Sequence, residues 1–308
     1  MVGNRGRLLD ARRTPVTVTG IAPHTAMFEV EIGAFEDVGA RWRLPFEDVA
    51  GFQFARDSAL ASDDVVAERR RAADRFDRPG HVEVAPNVRE DTLRRLAGER
   101  RAVGGWLAAH DAILRGVDVR ASIATREGVP GLFALLERFL ASRGLAELDR
   151  RFTETFVSNP RSGELVKGHA IVLAELGLCA YRGQVVRDPR LFDGAWSKAR
   201  RAEHLLARLA FTQALWSRLD HAQLTLYRAA AADGQLAPRP RSFVSATFSK
   251  EVADDHFQGG PTTRVAVLWR QVVPLDRVLM TFLETAAMSR TFKEAEAVLL
   301  ADPGNRAF

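Results

Sequence analysis

Apolar residues in this chain recur at every second position near both ends and at every third or fourth position through the middle. The two periods demand different backbones, since alternation buries one face of a strand and the longer spacing buries one stripe of a helix. Near the start, Val16-Thr17-Val18-Thr19 and Phe28-Glu29-Val30-Glu31-Ile32 alternate, and Trp42, Leu44, Phe46, Phe52 and Phe54 continue the pattern. From Ser62 to Phe76 the texture is helical and charged, and Pro79-Gly80 then turns into a short strand at His81 to Val84. Asp91 is placed to cap a helix running through Leu93, Leu96, Val103, Trp106 and Leu107. Gly128-Val129-Pro130-Gly131 interrupts regular structure and marks a boundary. Helical spacing follows over 132–140, 145–157, 164–181 and 195–219. Strands then return at 224–228, 242–248, 265–269, 278–282 and 294–300, with a short helix over 250–258 and a proline-containing loop over 231–241. The pattern predicts an α+β protein in two parts. Residues 1–125 form a small α+β module, and residues 130–308 form a helical lobe followed by a β-rich lobe.

Composition narrows the class. A length of 308 residues suits about two domains, and 46% hydrophobic with 27% charged residues is a globular mixture. The longest apolar stretch, Ile171 to Ala180, is broken by Glu175 and too short for a bilayer, and no apolar segment follows the basic start. A cytoplasmic protein is the expectation. The single cysteine, Cys179, excludes an internal disulfide and a Cys-rich metal site, and its apolar helical surroundings suit a buried, inert thiol. The seven histidines form no HExxH or close pair, so no metal is expected. The net charge of +5 comes from arginine, with only four lysines, and the arginines are scattered among 39 acids. Such a distribution does not define a nucleic-acid surface.

Three elements of the β-rich lobe carry candidate chemistry. In Phe243-Val244-Ser245-Ala246-Thr247-Phe248, alternation puts Ser245 and Thr247 on one face, about 7 Å apart, and Val244, Ala246 and Phe248 on the other. In Glu294-Ala295-Glu296, the same alternation puts both carboxylates on one face. Paired carboxylates suit sugar chemistry, one steadying an oxocarbenium-like centre and the other orienting or deprotonating a nucleophile. Arg228 ends the strand Leu224–Tyr227 with a planar, permanently charged fork that matches a phosphate or pyrophosphate.

An arginine on a first strand, Ser/Thr-x-Ser/Thr on a second and Glu-x-Glu on a late strand resembles the arginine–serine–glutamate class of mono-ADP-ribosyltransferases. Leu226-Tyr227-Arg228 looks like the family's first-strand segment, and Ser242 to Thr247 resembles its second motif, followed by a helix-like Glu251 to Phe257. Val273 to Leu279 is similar to the strand and turn before the catalytic loop. Glu294 to Leu300, then Pro303-Gly304, looks like the catalytic strand and its turn. Two departures stand out: Ala229 occupies a position where glycine is common, and Ala297 sets Val298-Leu299-Leu300 one residue farther from the second glutamate.

The resemblance covers residues 130–308 and implies a helical lobe plus a split β-sandwich. It implies NAD as co-substrate, no metal, and transfer of ADP-ribose to a macromolecular acceptor with loss of nicotinamide. Glu296 would stabilise the ribosyl cation, Arg228 would bind the NAD phosphates, Ser245 would position Glu296 and the ribose, and Thr247 would support the same wall. Glu294 would orient or deprotonate the acceptor, with protein arginine favoured over nucleic acid. Phe292, in the loop 285–293, stands beside the acceptor as a stacking residue or packs in the core. Both carboxylates are expected to face a solvent-filled cleft, so that replacing either barely alters the melting temperature. An NAD glycohydrolase, or a non-enzymatic basic protein that binds RNA or a protein, remains the alternative.

Overall fold

The computed structural model describes residues 5–8, 15–22, 27–32, 40–45, 49–50, 81–84, 88–158, 163–184, 186, 188–232, 242–258 and 265–301. The sequence readings at Phe46, Phe52, Phe54, 62–76, 233–241 and 302–308 lie outside the described residues.

The described chain is mixed α+β. The first strands are β1 (Arg5–Leu8), β2 (Pro15–Ala22), β3 (Met27–Ile32), β4 (Arg41–Pro45), β5 (Val49–Ala50) and β6 (His81–Val84). Helices α1 (Glu90–Ala109), α2 (Asp111–Arg115), α3 (Val119–Thr125), α4 (Pro130–Ala141), α5 (Ala146–Ser158) and α6 (Glu164–Glu175) follow. Strand β7 (Tyr181–Gln184) pairs with β6, and α7 (Lys198–Arg218) completes the helical section. The C-terminal part runs β8 (Gln223–Ala232), β9 (Phe243–Thr247), α8 (Lys250–Gln258), β10 (Val265–Pro274), β11 (Val278–Thr281), α9 (Ala286–Thr291) and β12 (Glu296–Leu300).

Local chemistry sets several of these limits. Pro130 sits in the first turn of α4, where its missing N–H costs nothing. Ser197 caps α7 by accepting from the Arg200 amide, and Gly144, at φ +65°, ends the turn after α4 where a side chain would be strained. Helix α1 begins two residues earlier than the sequence suggests: Arg89 is the N-cap, without a side-chain bond, and Asp91 lies in the first turn. The 164–181 helix stops at Glu175, so Cys179 sits in the turn before β7. It is buried there, and burial pushes its thiol up to about 12.

Among the described residues ten strands form one hydrogen-bonded sheet in the order β11-β12-β9-β8-β10-β4-β3-β2-β1-β5. Strands β8 and β10 pair antiparallel without a break from Val265↔Ala232 to Pro274↔Gln223. By contrast β8 meets β9 at a single pair, Tyr227↔Thr247. The sheet is therefore nearly split between β8 and β9. Beyond β10, β4 adds through Ala266↔Arg43, Val267↔Trp42 and Leu268↔Arg41, carrying the first strands of the chain onto the C-terminal sheet.

Helix α7 is the axis of the helical layer. Nearly every residue from Arg201 to Trp216 is buried, because α1, α5, α6 and β11 pack around it. Arg100 of α1 reaches Gln213 of α7 at 2.6 Å, so α1 joins this layer from across the 128–131 interruption. Trp216 stacks on Phe248 at 5.2 Å and donates to Thr281, tying α7 to the strands that carry the candidate site.

Candidate active site

Strand β9 lies between β8 and β12, and its register decides which side chains share a face. Thr247 stands directly across from Glu296 on one side and from Tyr227 on the other. Ser245 faces Val298, one step along from Glu296. Cross-strand partners point the same way, so Ser245, Thr247 and Glu296 share a face, as the alternation predicts. Val244 and Ala246 oppose Leu299 and Ala297 on the other face, within the main core.

The Glu-x-Glu segment departs from that alternation. Strand β12 begins at Glu296, and Ala295 has φ +47°, a left-handed conformation that an alanine adopts only when its surroundings hold it there. Three hydrogen bonds do so. The Phe248 amide donates to the Ala295 carbonyl at 3.0 Å, the Phe282 amide to the Glu296 carbonyl at 2.8 Å, and the Thr247 hydroxyl to the Glu294 carbonyl. Thr247 also accepts from the Ser249 amide at 2.9 Å, so its oxygen joins the start of α8 to the glutamate turn. Thr247 is thus a brace inside the site. Glu294 lies on the bend before the strand and not on the strand face.

The two carboxylates consequently occupy different environments. Burial pushes the Glu296 carboxyl up to about 7, the nearby Ser245 hydroxyl opposes that push, and the negative Glu294 adds to it. Glu296 is therefore not the solvated group that the strand reading suggests. Glu294 is more open, with its side chain 39% exposed and its Oε1 3.7 Å from His256 Nε2. The Glu294 charge on one side and water exclusion on the other give Glu296 a proton affinity unlike that of a surface acid.

Arg228 follows Tyr227 at the near-split of the sheet. The unbroken β8–β10 register puts its side chain with Leu224 and Leu226, on the other side of β8 from Tyr227 and Thr247. The structure brings Ser245, Thr247, Glu294 and Glu296 together and turns Arg228 away from them.

The segment 285–293 contains α9 and is fastened at several points. Thr285 accepts from Arg208, the Ser289 hydroxyl accepts from the Gly128 amide at 2.9 Å, and Lys293 pairs with Glu127 at 2.6 Å. Phe292 is 49% exposed, which makes it a surface side chain and not a core one. The interruption at 128–131 acts here as a strap: Gly128 packs against the Phe282 carbonyl and the Phe133 ring so closely that a Cβ would lie 2.3 Å from that carbonyl oxygen.

Beneath this segment lies a polar cluster that the sequence does not reveal. Asp149 of α5 accepts from His204 at 2.8 Å and from Arg208 at 2.6 Å, both on α7 and fully buried. Glu284 accepts from the Thr281 amide at 2.7 Å and from Thr212 at 3.1 Å, and burial pushes its carboxyl up. Arg201 is buried against the Leu165, Leu191 and Trp196 carbonyls and His169. These contacts set the height of α7 against the Thr281–Thr285 turn.

Among the described residues, no group of three or more His, Cys, Asp or Glu side chains is placed to hold a metal ion, and no helix is long and apolar enough to cross a membrane. No protein family, curated protein or solved structure matches this chain.

Proposed function

We propose that this protein is an NAD-dependent mono-ADP-ribosyltransferase of the arginine–serine–glutamate kind. The observation that carries the reading is the register of β9 on β12: Ser245 and Thr247 share a face with Glu296, a half-buried carboxyl, beside a second, more open carboxylate. The near-split between β8 and β9, with helices packed against the strands, supports the split-sandwich architecture that the motifs imply.

In this reading Ser245 and Glu296 take the nicotinamide ribose. Breaking the nicotinamide–ribose bond leaves positive charge on the sugar, and a carboxylate in a partly water-excluded site favours that charge more than the neutral ground state. Burial strengthens the contact and also raises the proton affinity, so Glu296 works in its ionised form above about 7. Arg228, on the opposite face of β8, takes no part in this arrangement, and no residue is assigned to the NAD phosphates. Glu294, on its exposed bend, takes the acceptor, with Phe292 stacking beside it. Protein arginine is the favoured acceptor.

The test is incubation of the full chain with NAD labelled in its adenylate part and a cell lysate, followed by separate protease and nuclease digestion. Label on protein supports the reading, and Glu296→Gln should then lower NAD turnover by roughly two orders of magnitude or more. Glu294→Gln should depress transfer more than hydrolysis. Label released only as free ADP-ribose would make the protein a glycohydrolase. An unconsumed NAD pool, or full activity in both variants, would overturn the proposal.

A further inference from the structure

His256, in the last turn of α8, brings its Nε2 to 3.7 Å from Glu294 Oε1 across 38 residues of sequence. The ring is 60% exposed, so the pair lies at the open edge of the site, on the side assigned to the acceptor. The helix that carries it is anchored. Phe257 is fully buried, with the guanidinium groups of Arg41 and Arg43 over its ring at 5.3 and 4.9 Å. Arg43 also donates to the Gln258 side chain at 2.9 Å, and Asp254 pairs with Lys250 at 2.7 Å and with Arg41 at 3.6 Å. At the other end of α8, Glu251 is bound to Arg126. His256 therefore projects from a rigid base toward the bend that Thr247 and Phe248 hold in place. The charged groups acting on its ring are Glu294, from that bend, and Asp255, on its own helix. Both are negative, and the nearby Glu294 carboxylate outweighs partial burial to raise the imidazole's proton affinity above its ordinary value.

Resting on the transferase reading above, we propose that His256 is the positioning residue of the acceptor side, holding the Glu294 carboxylate aimed at the incoming nucleophile. In the transfer step the C1′–N bond to nicotinamide breaks, and its electron pair leaves with nicotinamide. The acceptor's nitrogen lone pair forms the new bond to C1′, and the acceptor's proton passes to Glu294. His256 forms and breaks no bond. Its positive charge fixes the rotamer of an exposed carboxylate that would otherwise sample several.

Two measurements on the full chain test this. The first needs no NAD: titration of the His256 Cε1 proton by NMR in wild type and in Glu294→Gln. The midpoint should lie above the ordinary histidine value of 6.5 in wild type and fall in the variant; an unchanged midpoint overturns the pairing. The second is the ratio of protein-bound to free ADP-ribose from about pH 6 to pH 9, in wild type, His256→Gln and His256→Lys. The wild-type ratio should fall as pH passes above the NMR midpoint. In His256→Gln it should be lower by about three- to fivefold and flat, a size an exposed charge pair can supply. In His256→Lys, whose charge persists, it should stay high to the top of the range. A wild-type ratio and pH course in His256→Gln overturns the proposal and leaves the transferase reading standing. Absence of NAD consumption by wild type overturns that reading, and the role given to His256 with it, while the NMR result still reports whether the pair exists.

Discussion

Thr247 stands directly across from Glu296 in the β9–β12 pair, with Ser245 on the same face, and burial, opposed by the Ser245 hydroxyl and reinforced by the nearby Glu294, holds the Glu296 carboxyl up at about 7. Burial and the hydroxyl oppose each other, so the hydroxyl sets how acidic the carboxyl remains. Glu296 is consequently divided between its protonated and ionised forms near neutrality, which makes the site sensitive to small electrostatic changes.

Turnover should follow the ionised fraction of Glu296. The pH dependence of kcat/KM for NAD should rise through about 7 and level off above it. Ser245→Ala removes the hydroxyl that favours the carboxylate, so the rising limb should move to higher pH. A steady-state pH profile of both proteins checks this. A limb at ordinary carboxylate values, or one that Ser245→Ala leaves in place, would contradict the environment described for Glu296.

Stability should respond to the same group. A carboxyl raised from 4.5 to about 7 by folding contributes stability that is fully present below 4.5 and lost as pH rises through about 7. Glu296→Gln resembles the protonated acid at every pH. The melting temperature of the variant relative to wild type should therefore climb between about pH 5 and pH 8, measured by calorimetry. A constant difference would mean that the carboxyl is solvated, as a plain strand reading suggests.

The strap at 128–131 can be probed at Gly128, with Gly104 of α1 as the control. Gly128→Ala forces a Cβ to 2.3 Å from the Phe282 carbonyl oxygen and should lower the melting temperature and loosen the 285–293 segment. Gly104 lies inside α1, and a Cβ added there would meet nothing within 4 Å, so Gly104→Ala should stabilise by about 0.5–1 kcal/mol through helix propensity. Equal effects of the two changes in thermal unfolding would rule out the close approach.

Asp149 is the anion of the buried cluster. Burial pushes its carboxyl up, but Arg208 and His204 outweigh that and hold it below its ordinary 3.8. Its contribution is present above 3.8 and is lost as pH falls through the lower folded value. Asp149→Asn strips the buried Arg208 of its charge partner and weakens the His204 contact, and should cost about 3–5 kcal/mol at neutral pH. Denaturant unfolding at neutral pH and below 3.8 should show the deficit narrowing in acid.

Strands and helices were readable where one face of an element is buried. Val244, Ala246 and Phe248 announce β9, and Leu132, Leu135, Leu136 and Phe139 announce α4, because period and burial coincide. The grouping of Ser245, Thr247 and Glu296 follows from strand alternation plus the order of the motifs. The bend at Ala295 does not, since nothing about an alanine signals φ +47°; the Phe248, Phe282 and Thr247 hydrogen bonds impose it from other elements. Arg201 and Arg208 look like any other arginines in an arginine-rich chain, and only the carbonyls and the carboxylate of α5, α6 and the following turns make them core residues. His256 meets Glu294 through the packing of α8, a relation that no local pattern encodes.

The seam between β4 and β10 governs the order in which the chain can be built. Arg43 meets Gln258 across 215 positions, and the neighbouring strands pair over a similar distance. Helices such as α7 and the long β8–β10 pair close much shorter loops and reward them sooner. Strands β1 to β5 pair with one another over short loops, but the free edge of β4 emerges from the ribosome well before its partner β10 and waits for it. That seam closes late, and α8, clasped by Arg41 and Arg43, acquires its final support only when β4 docks on β10.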